Sequence, residues 1–203
     1  MSSCGPRFNA ACGPADFDAC ATLAQMVDLY LLLWGDRPDR EQVWWGDQSL
    51  TFSEAIRRAM FRLEGEGRRD GHQRYYSAAA LWAMGERLIG HASRLEKARG
   101  DFEALRKAVE KGLGLADSRS PLLVYDVTYR LGCYLKTPPQ HVYLHAGPQV
   151  GAKRLNPGLG RHRCLDPKKP DHLPASLRTR LSPDQIENFL CVARRALRPG
   201  LWD

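Results

Sequence analysis

The residues best suited to chemistry lie between Val109 and Leu155. Gly112-Leu113-Gly114 ends one apolar-periodic segment, and Ser120-Pro121 opens the next. Glycines in such a turn let a backbone come close to another molecule. The amides that open the following helix favour an anion such as phosphate. A second turn of this kind follows at His145-Ala146-Gly147-Pro148-Gln149, with Lys153 and Arg154 close behind. The chemistry implied is a grip on a phosphate backbone. Its candidate residues are Gly112, Gly114, Arg119, Arg130, His145, Gly147, Gln149, Lys153 and Arg154. Between the two turns stands Asp126, among Leu123, Val124, Val127 and Leu131. Desolvation on an apolar face would raise a carboxyl pKa unless a cation compensates. Arg130, four residues on, is spaced for such a pair. Asp126 therefore reads either as half of a helix ion pair or as a catalytic carboxylate facing a cleft.

His72-Gln73-Arg74-Tyr75-Tyr76 is the second constellation. It joins a proton carrier, an amide, a cation and two aromatic faces before a helix start. Such groups can stack on a base and hydrogen-bond its edge. His72 is thus a candidate proton carrier, and Gln73 and Tyr75 are candidate base contacts; the alternative folds the tyrosines onto the core. His141 and His145 would share a helix face, but the prolines around them leave little room for that helix. The six cysteines, Cys4, Cys12, Cys20, Cys133, Cys164 and Cys191, form no pair with zinc-knuckle spacing. No metal and no cofactor is expected.

The chain that must position these groups has 203 residues, 43% of them hydrophobic and 26% charged. That composition excludes a disordered or collagenous chain, and the length suits one compact domain. Mean hydropathy is -0.44, and the longest apolar run, Leu29 to Trp34, is far short of the roughly 20 residues a spanning helix needs. The segment from Met1 to Cys12 lacks the basic start and apolar run of a signal peptide, so a cytoplasmic location is expected. The net charge is +7, and it is concentrated. Residues 146–182 carry Lys153, Arg154, Arg161, Arg163, Lys168, Lys169, Arg178 and Arg180 against only Asp166 and Asp171. Residues 1–145 are nearly balanced, and 183–203 balance to zero. A basic field of this kind attracts polyanions.

Helical signals run along most of the chain. Asp18 is placed to cap a helix through Thr22–Trp34, and Asp36-Arg37-Pro38-Asp39 reads as a polar connection. Val43-Trp44-Trp45-Gly46 follows as an aromatic cluster. Thr51-Phe52-Ser53-Glu54 fits a capping box. Further starts are expected at Ser77, at Asp101 and at Ser120-Pro121, the last helix running to about Leu135. A helix from Pro148 to about Leu155 leads into residues 156–173, read as a basic surface loop because of their prolines and glycines. Ser182-Pro183-Asp184-Gln185 opens the final helix. The expected fold is all-α: a single compact multi-helix domain over residues 1–203, with residues 1–16 a flexible lead.

Gly112-Leu113-Gly114 resembles a degenerate form of the Gly-hydrophobe-Gly turn in helix-hairpin-helix DNA-binding proteins. Val124-Tyr125-Asp126-Val127-Thr128-Tyr129-Arg130-Leu131 is similar to the segment of DNA glycosylases in which an Asp opens a helix after the hairpin. The resemblance implies that the Gly112 and Gly114 amides bind a phosphate and that Asp126 assists cleavage of a base–sugar bond. The leading expectation is a nucleic-acid-binding protein, with DNA the partner and base processing the reaction. Two other classes stay open. One is a non-catalytic interaction module or inhibitor of an acidic protein, using the basic loop or Trp44 and Trp45. The other is a small-molecule enzyme built on His72, Asp126 or His145.

Overall fold

A computed structural model describes residues 17–61, 73, 75–114 and 120–203. In chain order the helices are α1 Leu23–Trp34, α2 Arg37–Trp45, α3 Phe52–Met60, α4 Ala78–Gly90, α5 Ala92–Lys97, α6 Phe102–Leu113 and α7 Pro121–Leu135. Strand β1, Val142–Tyr143, precedes α8, Ala146–Leu155, and a 3-10 turn, Pro157–Arg161. Strand β2, Cys164–Leu165, then α9, Ala175–Arg178, and α10, Pro183–Val192, complete the chain. The architecture is all-α with one two-stranded antiparallel ribbon, Val142 opposite Leu165 and Tyr143 opposite Cys164. Among the described residues no helix is long and apolar enough to cross a membrane.

Local chemistry explains most helix starts. The Thr51 hydroxyl accepts from the Glu54 amide while the Glu54 carboxylate accepts from the Thr51 amide, closing the expected box. Asp101, Ser77 and Ser120 each accept from the amide three residues on, without a return bond, and Pro121 takes the first position of α7. Ser182 and Gln185 form the box that opens α10. Asp18 does not cap α1. Thr22 does, because Gln25 three residues on returns a side-chain bond to the Thr22 amide. The polar connection and aromatic cluster expected after Gly35 fold together as α2, since proline is tolerated in the first turn.

By its contacts the chain divides into two compact units. One holds the described residues of Arg40–Pro138, the other those of Ala11–Asp39 and Pro139–Asp203. In the first unit α3 packs on α4 and α7, and α6 packs on α4 and α7. Its core includes Ile56, Met60, Leu81, Leu88, Leu105, Val109, Val127 and Leu131. In the second unit α8 packs on α10 and on the 3-10 turn, and α9 packs on α1. Phe17, Tyr30, Trp34 and Phe189 form an aromatic set in its core, with Tyr30 and Phe17 stacked on Trp34 and set edge-on to Phe189. Residues 156–173 are more ordered than expected. The 3-10 turn buries Leu159, and β2 buries Leu165 against β1.

Candidate functional site

The second unit builds the basic surface around α8. Gly147 and Gly151 face α10 at very short range. A Cβ on Gly151 would stand 2.0 Å from the Leu190 carbonyl oxygen, and one on Gly147 would stand 2.4 Å from Cys191 Sγ. The two backbones can therefore cross only because neither residue has a side chain. This crossing turns Gln149, Val150, Lys153 and Arg154 outward, all of them exposed. Gln149 Nε2 reaches the Gly160 carbonyl at 3.4 Å. The Lys153 stem lies beside Gly160, leaving no room for a larger residue there without a shift. The Arg154 guanidinium donates to the carbonyls of Arg194 and Arg195 at 3.2 and 2.8 Å.

Beyond α8, Arg161, Arg163, Lys168, Lys169 and Arg178 are also exposed. Among the described residues none of these five, nor Lys153, has a carboxylate within ion-pair distance; Arg180 does, bonding Asp28 at 2.5 Å. The Asp166 carboxylate is held below the usual aspartate range, first by the Lys168 amide that donates to it, with His141, Lys169 and Lys168 adding positive potential.

The acids of the final segment do not offset this field in the way the sequence sum suggests. Asp184 and Glu187 are both buried, and with Asn188 and Cys191 they line one face of α10. The Tyr30 hydroxyl donates to Asn188 Oδ1 at 3.1 Å. Burial drives the Tyr30 pKa far upward; Arg37 opposes the rise, and Asp184 and Glu187 add to it. His145 Nε2 stands 3.2 Å from Glu187 Oε1. Burial also raises the Cys191 thiol, with Glu187 adding to the rise, so this thiol is a poor nucleophile at neutral pH. The Asp203 carboxylate accepts from the Ser176 amide and hydroxyl at the start of α9.

Several expected contacts therefore lie elsewhere. His145 is 7% exposed and faces Glu187, and Gly147 faces Cys191, so neither presents an open phosphate turn. The reason is packing: the glycine spacing that suggested an anion turn serves the helix crossing. In the first unit Gly112 is an interior residue of α6, where a Cβ would meet Leu88 at 2.7 Å. Gly114 is a left-handed cap at φ 65°, and its amide donates to the Lys111 carbonyl. Arg87 Nη2 covers the same end by donating to the Leu113 carbonyl at 2.6 Å. The expectation of a Gly112–Gly114 phosphate grip is corrected to a helix contact and a helix cap.

Asp126 lies 3.8 Å from Arg130, at 14% exposure against 4%. Arg130 Nη1 donates to the Ala59 carbonyl at 2.8 Å, and its guanidinium lies 4.9 Å from the Trp45 ring centre. Arg130 is thus a core residue rather than a phosphate contact, and the i,i+4 ion-pair reading of Asp126 fits its place. Gln73 is fully buried, which removes it as a base contact, while Tyr75 is exposed. Trp45 is buried, and Trp44 is half-open beneath Arg58 at 5.1 Å. His72 and Arg119 lie outside the described residues. Arg161, Arg163, Lys168, Lys169 and Arg178 are missing from the motif-based candidates, although the charge map contained all five. Among the described residues no cluster of three or more His, Cys, Asp or Glu is set to hold a metal ion. No family model, curated protein or solved structure matches this chain.

Proposed function

We propose that the chain binds nucleic acid, with DNA the preferred partner, through phosphate contacts made by the outward cations of the second unit. The observation that carries the reading is the set Lys153, Arg161, Arg163, Lys168, Lys169 and Arg178. All six are exposed, and among the described residues none is in an ion pair. Cations free of intramolecular carboxylates can exchange counterions for phosphates without first breaking a bond, and release of those counterions supplies the affinity. Guanidinium groups make up half of the set and suit forked contact with phosphate oxygens.

Base processing is the activity the resemblance implies, and it would rest on Asp126. Its shielding beside Arg130 favours a structural role, so binding is the primary claim. Fluorescence anisotropy on a short labelled duplex over a salt series tests it. Engagement of six phosphates gives a slope of log affinity against log salt near about -5. Lys153→Glu, Lys168→Glu and Lys169→Glu together should flatten that slope by about 3 and weaken all sequences alike. A flat salt response of the wild-type chain removes the proposal. Release of a free base from damaged duplex, abolished by Asp126→Asn without loss of stability, would add the enzymatic function.

A second reading, a protein-interaction module, has its own observation in the first unit. Val43, Trp44 and Trp82 are exposed, with Arg58 over Trp44 and Arg57 over Trp82. Those arginines already pair with Glu86 and Asp47, so this surface suits a partner less acidic than the second unit does. Specific retention of one protein, lost on Trp44→Ala and Trp82→Ala with duplex binding unchanged, would establish it.

A further inference from the structure

The basic turn after β2 is closed by a histidine ring. The Lys169 amide donates to the Asp166 carbonyl at 3.1 Å, and the His172 amide donates to the Lys169 carbonyl at 3.0 Å. Asp166 Oδ1 accepts from the Lys168 amide at 2.9 Å. The circuit is completed by His172 Nδ1, which accepts from the Asp166 amide at 2.9 Å. An imidazole nitrogen can accept only while it carries no proton. While this bond is made, His172 Nδ1 carries no proton. Lys168 and Lys169 ride on the turn that this bond closes.

We propose that His172 is a proton-operated latch on the Asp166–His172 turn, holding Lys168 and Lys169 in place when neutral and releasing them when Nδ1 is protonated. The charged and titratable groups around it are of both signs. The His162 ring lies 4.8 Å from the His172 ring, centre to centre. Lys168 and Lys169 belong to the turn itself. His141 precedes β1 and acts on Asp166 across the ribbon. Asp171, beside His172 in the chain, and the Asp166 carboxylate are the acids of the turn. Asp166 stays ionised well below the range in which histidines titrate, because its carboxyl is held below the usual value. Protonation of Nδ1 removes the acceptor, so the latch opens as pH falls. The consequence for phosphate binding rests on the function proposed above; the latch itself does not.

The test is amide exchange at Asp166 in the full chain by NMR, with the ring nitrogen shifts of His172 read in the same samples. At about pH 7.5 the wild type should show an unprotonated Nδ1, and protection at Asp166 should fall about tenfold by about pH 5.5 after correction for intrinsic exchange. His172→Asn supplies an acceptor oxygen that does not protonate, and it should keep its protection across the same range. An Nδ1–H tautomer at the upper pH, or unchanged protection in the wild type, overturns the latch. A parallel loss in wild type and His172→Asn overturns it too, because general acid loosening would then explain the result. Should the Asn variant fail to fold, the wild-type tautomer and protection still decide. Duplex affinity separates the two claims. Tightening on acidification in the wild type beyond that of His172→Asn supports coupling of latch to surface. A working latch with no duplex binding at any pH sinks the proposed function alone.

Discussion

Gly151→Ala tests the geometry that turns the basic face of α8 outward. The added Cβ would lie 2.0 Å from the Leu190 carbonyl oxygen, with the Leu190 carbonyl carbon and Cα at 2.8 and 3.2 Å. All three atoms are backbone, so no rotamer change relieves the contact. Restoring an ordinary separation moves α8 and α10 apart by more than about 1 Å, and the closely packed interior between them must open. Overpacking of this kind costs about 1–3 kcal/mol, and a clash with backbone sits at the top of that range or above. Alanine returns about 1 kcal/mol through helix propensity. A net loss of about 2 kcal/mol or more remains, which lowers Tm by about 4–8 °C or more in a chain of this length. Gly90→Ala is the control, because a Cβ there meets nothing within 4 Å; it should raise stability by about 0.5 kcal/mol. Calorimetry on both variants decides. A Gly151→Ala protein as stable as the wild type refutes the close crossing, and with it the orientation assigned to Lys153.

Three further outcomes are expected. Asp101→Ala removes the side-chain cap of α6 and should cost about 1 kcal/mol in urea denaturation. Arg130→Met leaves the Asp126 carboxylate and the Ala59 carbonyl without the guanidinium that joins them, and should cost about 3–5 kcal/mol, the scale for breaking a buried ion pair; a loss under half of that would show that Arg130 is bathed by water. The Glu54 carboxyl is held below the usual range, first by the Thr51 hydroxyl and then by the Thr51 amide. Its folded pKa is the lower one, so its stabilisation is complete above the unfolded value of about 4.3 and is lost as pH falls through the folded one. Glu54→Gln should therefore narrow the stability difference between about pH 6 and pH 3, measured by thermal melts across that window.

Local hydrogen-bond chemistry was legible in the sequence, and packing was not. The boxes at Thr51-Glu54 and Ser182-Gln185 and the Ser120-Pro121 start need only residues within one turn, and they form where the pattern puts them. The Thr22 cap was written in the same code, as a Thr with Gln three residues on, but Asp18 competed for the role. The ribbon joins Val142–Tyr143 to Cys164–Leu165 across an intervening helix. Such pairing leaves no short-range mark, and the prolines between point to loop. Glycine was the most ambiguous letter. Gly114 does adopt the left-handed turn expected of it, while Gly112, Gly147 and Gly151 are small because another element presses on them. A sequence shows that a side chain is missing without showing whether a ligand or a helix takes the space. The Asp126–Arg130 spacing was readable as a pair, but not that Arg130 would be the more deeply buried partner.

The same limit applies to charge, and there it works in favour of polyanion binding. Summed along the chain, residues 183–203 are neutral, with Asp184, Glu187 and Asp203 against Arg194, Arg195 and Arg198. Folding sorts these by side. Asp184 and Glu187 turn inward toward Tyr30, Arg37 and His145, and Asp203 engages Ser176. Arg195 and Arg198 stay exposed. A carboxylate placed inside costs desolvation energy. Placing Asp184 and Glu187 in solvent instead would return negative charge to the surface of the second unit. What the arrangement provides is separation: Asp184 and Glu187 inside, Arg195 and Arg198 outside. The positive field that a phosphate strand would meet is thus broader than the 146–182 segment that first suggested it.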